Sequence, residues 1–588
     1  MCGIFAVLNG EKKNIQFYTK QFLKGNNRGP EDSKFISFHN VFLGFHRLAI
    51  NGIDFMSNQP LNINNIVLIC NGEIYNYKNL YELMNISPYT NSDCEVIIHL
   101  YLKYGMKQTL QMLDGVFSFV LYDLRLDENI DNFIYFARDP YGVRPLYILK
   151  KKIYDDDINI KNEIKQDEII ACASEIKCLS EFVNESSWVD NCNVSRQYYE
   201  IIPFTPGTYT TYFLSSLACS KWTSVKENQC YFMPSFSYNC NFYKNENMSY
   251  YEKNIVNYLC DAVKKRTLNT DRPVACLLSG GLDSSLICGL VNYFTKLEFG
   301  SERQIETYSI GLPDSEDLKY AKLVAEYLGT KHTEIILSEK EIFDIIPELI
   351  YKIESCDTTT VRASIGNYLL GKYISKNSDA KVIFNGVGSD ELCGGYLYMS
   401  KCPDCIEFDR ETRRLLRDIH LFDVLRSDKS ISSNGLEPRT PFLDKTFTNF
   451  YLSIPQKIRF DSNKIMEKYL LRNCFKIENF KDLNSRQILP DEILWRCKEA
   501  FSDGVSNKGR SLYVILQEHI STEMQKPAHS RNRYTPNLET EKIYYRNLFE
   551  KHFPKCINKK IIPYYWMPKY IEAGDPSART LNFYNDVH

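Results

Sequence analysis

"VACLLSGGLDSSLICGLVNYF", residues 274–294, runs from a short apolar strand through Ser279, Gly280 and Gly281 into a helical repeat that starts near Asp283. Glycines let the backbone approach a bound group closely, and the following helix turns free amides and its positive dipole end toward the same place. A bare Gly-Gly is an ordinary strand-to-helix turn, whereas the full string is more specific. It lacks the Gly-Lys-Ser/Thr ending of a P-loop, so a Walker arrangement is excluded. Strand and helix then alternate through "IETYSIGL", "SEDLKYAKLVAEYLG", "TEIIL" and "KVIFN". That alternation predicts βαβ units, a parallel sheet, and ligands bound beyond the carboxyl ends of its strands. From about residue 400 onward the pattern is mostly helical.

Upstream the pattern differs. "FISFHNVFLGFHRLAI", "NIVLICNGEIYN" and "GVFSFVLYD" are short β-like runs punctuated by glycine turns, which predicts an α+β domain of packed antiparallel sheets. Between about 205 and 248 the chain is irregular and rich in Asn and Ser. Ser249 with Glu252 three residues on then gives a capping box, followed by Ile255, Leu259, Ala262 and Val263 at helical spacing. The expected organisation is a first domain over 2–205, a linker over 206–248 and a second domain over 249–588.

With 588 residues, the chain is too long for one hydrophobic core. Its 71 Lys and Arg nearly balance 73 Asp and Glu, so no basic footprint for nucleic acid or an anionic membrane surface exists. Small molecules are the expected partners. No apolar run reaches a membrane span, and the N-terminus has neither a basic n-region nor a small-residue cleavage site, which predicts a cytosolic protein. The 19 cysteines are then expected as reduced, buried thiols. "CPDC", Cys402 to Cys405, lacks the second ligand pair a zinc site needs.

"CLLSGGLDSS" resembles the pyrophosphate-binding loop of the ATP pyrophosphatases, which adenylate a substrate and release pyrophosphate. A second glycine turn, "KVIFNGVGSDELCGGY" at 381–396, would lie at the same sheet edge. Asp283 and Asp390 would then hold Mg²⁺ against the phosphates of ATP, because magnesium takes one or two carboxylates plus phosphate oxygens. At the other end, "MCGIFAV" places Cys2 after the initiator methionine. If Met1 is removed, the freed α-amino group is the thiol's own general base, and the thiolate attacks an amide to form a thioester.

"NNRGPED", "HRLAIN", "NGEIYNY" and "SDCEVI" extend this to a resemblance with the class II glutamine amidotransferases. By that resemblance Arg47 pairs with the glutamine α-carboxylate, Glu73 and Asp93 bind its α-ammonium, and Asn71 and Gly72 form the oxyanion hole. Leu48, Ala49, Ile50 and Asn51 line the pocket. The two halves together resemble the glutamine-hydrolysing asparagine synthetases, eukaryotic type, through "YSIGLPDSEDL", "DTTTVRAS", "EPRTPFLDK", "KIMEKYLLR", "KEAFSDGV" and "YYWMPKYIEAGDPSART". This implies that Leu277, Ser279, Gly280, Gly281, Asp283, Ser284, Ile310, Asn385 and Gly386 bind ATP. Thr359, Thr360 and Arg362 would hold aspartate, and Lys498 would neutralise phosphate charge. A homodimer is compatible with the resemblance.

One departure stands out. Val387 occupies the place of a glutamate that the family ties to formation and aminolysis of an aspartyl adenylate, and valine cannot accept a proton. Either Glu391 or a phosphate oxygen takes over, or synthesis is crippled. The competing expectation is therefore a glutaminase whose second domain binds ATP in a regulatory role.

Overall fold

The computed structural model describes residues 1–125, 132–151, 168–183, 199–215, 221–234, 248–460, 466–507, 509–525, 534–554, 556, 565–581 and 584. The chain divides into two compact units, Met1–Met233 with Phe549–Pro563, and Pro234–Leu548 with Tyr564–His588.

The described strands of the first unit are β1 (Gly3–Leu8), β2 (Asp32–Phe38), β3 (Val41–Arg47), β4 (Leu61–Ile63), β5 (Ile66–Ile74), β6 (Gly115–Asp123), β7 (Phe133–Arg138), β8 (Tyr147–Lys151), β9 (Ile170–Ala173), β10 (Tyr199–Pro203), β11 (Thr208–Ser215) and β12 (Lys221–Cys230). They form two six-stranded antiparallel sheets, ordered β10-β8-β9-β1-β3-β2 and β12-β11-β7-β6-β5-β4. Val67 and Ile69 of β5 and Val120 and Tyr122 of β6 face Ile4, Ala6 and Leu8 of β1 in the core between the sheets. Their neighbours Ile66, Leu68, Phe119 and Leu121 pack instead with the helix Val96–Met112. Both faces of the second sheet are thus covered, which is why these strands read as unbroken apolar runs. The expected linker begins too early: β11 and β12 complete the second sheet, their polar outer residues masking the strand pattern.

The second unit carries β13 (Val274–Leu277), β14 (Glu306–Gly311), β15 (Lys331–Ile336), β16 (Val382–Phe384) and β17 (Glu437–Arg439), a five-stranded parallel sheet ordered β15-β14-β13-β16-β17. The helix Leu282–Phe299 follows β13, and Glu316–Leu328 follows β14 with Ser315 as N-cap and left-handed Gly329 closing it. The chain winds outward from β13 to β15 and then returns to the other side of β13 as β16. Between β13 and β16 lies the topological switch point, where open α/β sheets bind ligands. Sequence reasoning missed β17, because Pro438 sits inside it; as an edge strand it tolerates the missing N–H. The capping box also fails: Ser249 lies inside the helix Met248–Leu268, and the Glu252 carboxylate accepts from Asn473.

Candidate active sites

In the first unit, Cys2 directly precedes β1, and its thiol donates to the Leu48 carbonyl at 3.6 Å. Arg28 fixes this end of the chain: Nε donates to the Cys2 carbonyl at 3.0 Å, and Nη1 to Glu175 at 2.8 Å. Ser174 Oγ accepts from the Ile4 amide at 3.1 Å and from Asn71 Nδ2 at 3.4 Å, tying the strand of Cys2 to β5. The Asn71 side-chain oxygen is buried with no partner. Beside it, a Cβ on Gly72 would lie 2.5 Å from the Val116 carbonyl, so only glycine fits.

The expected glutamine-binding residues converge here. Glu73 and Asp93 are both buried. Glu73 accepts from Asn51 Nδ2 at 2.5 Å, and Asp93 from the Ile74 amide at 2.6 Å. Arg47 Nη2 donates to the Gly52 and Asp54 carbonyls, so Nε and Nη1 are its remaining donors. Leu48, Ala49 and Ile50 are buried, the Ala49 amide donating to Glu31 at 2.7 Å. Next to Asp93, the Cys94 thiol is pushed well above its ordinary value by its bond to Cys70 and by burial, so it does not compete as a nucleophile. Arg28 and Glu31 lie inside "NNRGPED"; Ser174 and Glu175 carry no pattern that sequence reasoning would have found.

In the second unit a cavity opens at the carboxyl ends of β13 and β16. Leu277, Ser279, Gly281, Asp283, Ser284, Ile310, Asn385, Gly386, Val387, Asp390 and Lys498 line it. Ser279 and Ser284 close the loop through their hydroxyls at 3.0 Å. Gly280 does not line it. Its φ of +71° turns the loop, and a Cβ there would sit 2.5 Å from the backbone of Tyr320. The two glycine turns meet closely, since a Cβ on Gly386 would lie 2.7 Å from Asp283 Cβ.

At the cavity floor two carboxylates interleave with two lysines. Lys468 Nζ lies 2.5 Å from Asp283 and 2.5 Å from Asp390, and Lys498 Nζ lies 2.6 Å from Asp390 and 3.8 Å from Asp283. Burial opposes ionisation of Asp390, but Lys468 and Lys498 outweigh it and hold the carboxyl below the usual carboxylate range. Lys468, inside "KIMEKYLLR", has left-handed backbone (φ +53°), a strained conformation of the kind functional sites retain. Gly395 makes room for it: a Cβ there would lie 1.9 Å from Lys468 Cε.

Two expected aspartate contacts lie elsewhere. The amide and hydroxyl of Thr360 bond to Asp357, capping the helix Thr358–Asn377. Arg362 is buried and forks onto two carboxylates, Glu541 at 2.9 and 2.6 Å and Asp575 at 2.7 and 2.9 Å. Neither side chain lines the cavity. Thr359 does, and its hydroxyl has no partner. Two residues that sequence reasoning missed line the same wall, Asp423 and Arg426, joined at 2.6 Å. Glu391 is fully buried behind Tyr396, whose hydroxyl donates to it at 2.7 Å. Burial, reinforced by Asp423 and Asp390, pushes Glu391 up to about 8, so at neutral pH it is mostly a neutral acid. The Cys402 and Cys405 thiols form no metal cluster among the described residues.

A family model for a glutamine amidotransferase domain matches residues 1–235, and one for asparagine synthase matches 255–408 and 406–563. Over 604 residues, 100% of both chains, the sequence is 38% identical to the glutamine-hydrolysing asparagine synthetase of Gallus gallus. The chain belongs to the glutamine-hydrolysing asparagine synthetase family. The Homo sapiens and Mus musculus members are 38% and 37% identical over 602 residues, again covering all of both chains. Among the described residues, no helix is long and apolar enough to cross a membrane.

Proposed function

We propose that the protein makes asparagine from aspartate, ATP and glutamine. Family membership over the whole chain supports this, and the observation that carries it is the Asp283–Lys468–Asp390–Lys498 cluster beside the Ser279–Gly281 loop. Once Met1 is removed, the Cys2 thiolate attacks the glutamine side-chain amide. The Asn71 side chain and the Gly72 amide then meet the charge developing on the tetrahedral oxygen. Arg47 takes the α-carboxylate through its remaining donors, and Glu73 and Asp93 take the α-ammonium. Ammonia released there passes inside the protein to the second site.

At the second site the free amides opening the helix Leu282–Phe299 receive phosphate, and Leu277, Ile310 and Asn385 receive the adenosine. Asp283 and Asp390 present hard carboxylate oxygens to the same cavity and suit a Mg²⁺ ion whose other positions phosphates and water fill; bound, it would neutralise phosphate charge. Lys468 and Lys498 hold Asp390 ionised and face the phosphates. Because Arg362 is engaged elsewhere, the aspartate α-carboxylate is assigned to Arg426 and its α-ammonium to Asp423, with the unpartnered Thr359 hydroxyl alongside. The side-chain carboxylate attacks the α-phosphate and expels pyrophosphate, and ammonia then displaces AMP. A regulatory second domain is the less favoured reading, because the likeness to glutamine-hydrolysing asparagine synthetases runs over the whole of both chains. Product analysis decides: with ATP, aspartate and either glutamine or ammonium, AMP, pyrophosphate and asparagine form in equal amounts. Glutamate release without AMP would refute the proposal.

A further inference from the structure

Arg496 lines the cavity at the phosphate end and took no part in the sequence argument. Its guanidinium lies over the Tyr320 ring, 3.9 Å from the centroid. Nη1 approaches the Ser279 carbonyl at 3.5 Å and Nη2 approaches Asp317 at 3.3 Å. Both contacts are long for a guanidinium that offers five N–H donors, so most of its hydrogen-bonding capacity is unused. The same Tyr320 abuts the left-handed Gly280, so one aromatic residue sets both the loop and the arginine.

The charge balance shows why a further cation is needed. Lys468 and Lys498 are matched one for one by Asp283 and Asp390, leaving that cluster neutral before any ligand arrives. A triphosphate brings about four negative charges, and one magnesium ion offsets two of them. Burial pushes Asp317 up to about 7 against the pull of Arg496, so it is an incomplete countercharge to that arginine at neutral pH.

We propose that Arg496, held over the Tyr320 ring, clamps the leaving pyrophosphate of ATP, with Tyr320 as its positioning residue. This rests on the nucleotide site proposed above. A planar fork suits two phosphate oxygens at once, and the ring contact holds it in place before the ligand enters.

The test is calorimetric titration of the full-length protein with Mg-ATP, inorganic pyrophosphate and AMP. Arg496→Gln is expected to weaken Mg-ATP and pyrophosphate about 10- to 100-fold, the scale of one or two charge-assisted hydrogen bonds, and AMP far less. Arg496→Lys keeps the charge without the fork and falls between. Tyr320→Ala reproduces the loss and Tyr320→Phe, which keeps the ring, restores affinity. Equal weakening of ATP and AMP by Arg496→Gln, or no weakening, would overturn the clamp. A native protein that binds neither nucleotide would instead overturn the nucleotide site.

Discussion

Lys468→Met removes the cation shared by Asp283 and Asp390 while keeping the length of the side chain. The site is tight: Lys468 is 1% exposed and lies 2.5 Å from each carboxylate. Removing one partner of such a buried set leaves an uncompensated charge, which costs about 3–5 kcal/mol. The cavity also changes from neutral to net negative where a triphosphate must enter. One unit charge at about 5 Å and an effective dielectric near 20 is worth ~3 kcal/mol, or ~200-fold in affinity. Mg-ATP binding is therefore expected to fall ~100-fold or more, and thermal unfolding of the variant to begin several degrees lower. The pH dependence has a definite sign. Asp390 is held below its unfolded value of about 3.9, so its pairing stabilises the native state above that pH and fades as pH falls through the lower native value. In Lys468→Met that fading moves to higher pH. A variant that binds Mg-ATP within threefold of the native protein and unfolds at the same temperature refutes the reasoning.

Cys2→Ala should abolish glutamine-dependent synthesis and leave the ammonia-dependent reaction, and intact mass of active protein should lack Met1; full activity with Met1 retained contradicts the nucleophile assignment. Arg426→Lys should raise the aspartate KM about tenfold or more with little change in the ATP KM, because lysine keeps charge but loses the fork. Arg362→Met should instead lower stability by about 3–5 kcal/mol, read by denaturant unfolding, since it leaves the buried Glu541 and Asp575 carboxylates without their shared cation. Val387→Glu, measured with saturating ammonia, should raise asparagine formation, up to the ~10²–10⁴-fold typical of a placed base. A brisk native rate that this substitution leaves unchanged means no side-chain base acts at that turn.

Both sheet classes were legible, because strand-helix alternation and glycine-punctuated apolar runs are local patterns. So were Cys2, the Ser279–Gly281 loop and the facing turn at Gly386, whose residue types serve one short-range purpose each. Strand β12 escaped because most of its residues are exposed and polar, and β11 because its alternating Thr and Tyr residues carry little apolar signal. That Thr360 and Arg362 do not line the cavity has a different reason. Sequence position put them beside Thr359, but Thr360 lies about 100° round the helix from it, and the Arg362 side chain, on the flank of that face, is drawn to carboxylates about 180 and 210 residues later in the chain. Lys468, the Asp423–Arg426 pair and Arg496 reach the site from three separate segments, and only the folded chain brings them together.

The end of the chain builds part of the nucleotide cavity. Trp566, Pro568, Pro576, Ala578 and Leu581 line it, and Ser577 on Asp503, Arg579 on Glu499 and Asp575 on Arg362 fasten the segment. Part of the wall of this cavity is thus drawn from residues about 290 positions further along the chain than the Ser279–Gly281 loop it faces. Loss of residues 566–581 would therefore strip wall from this cavity while removing none of the residues described around Cys2.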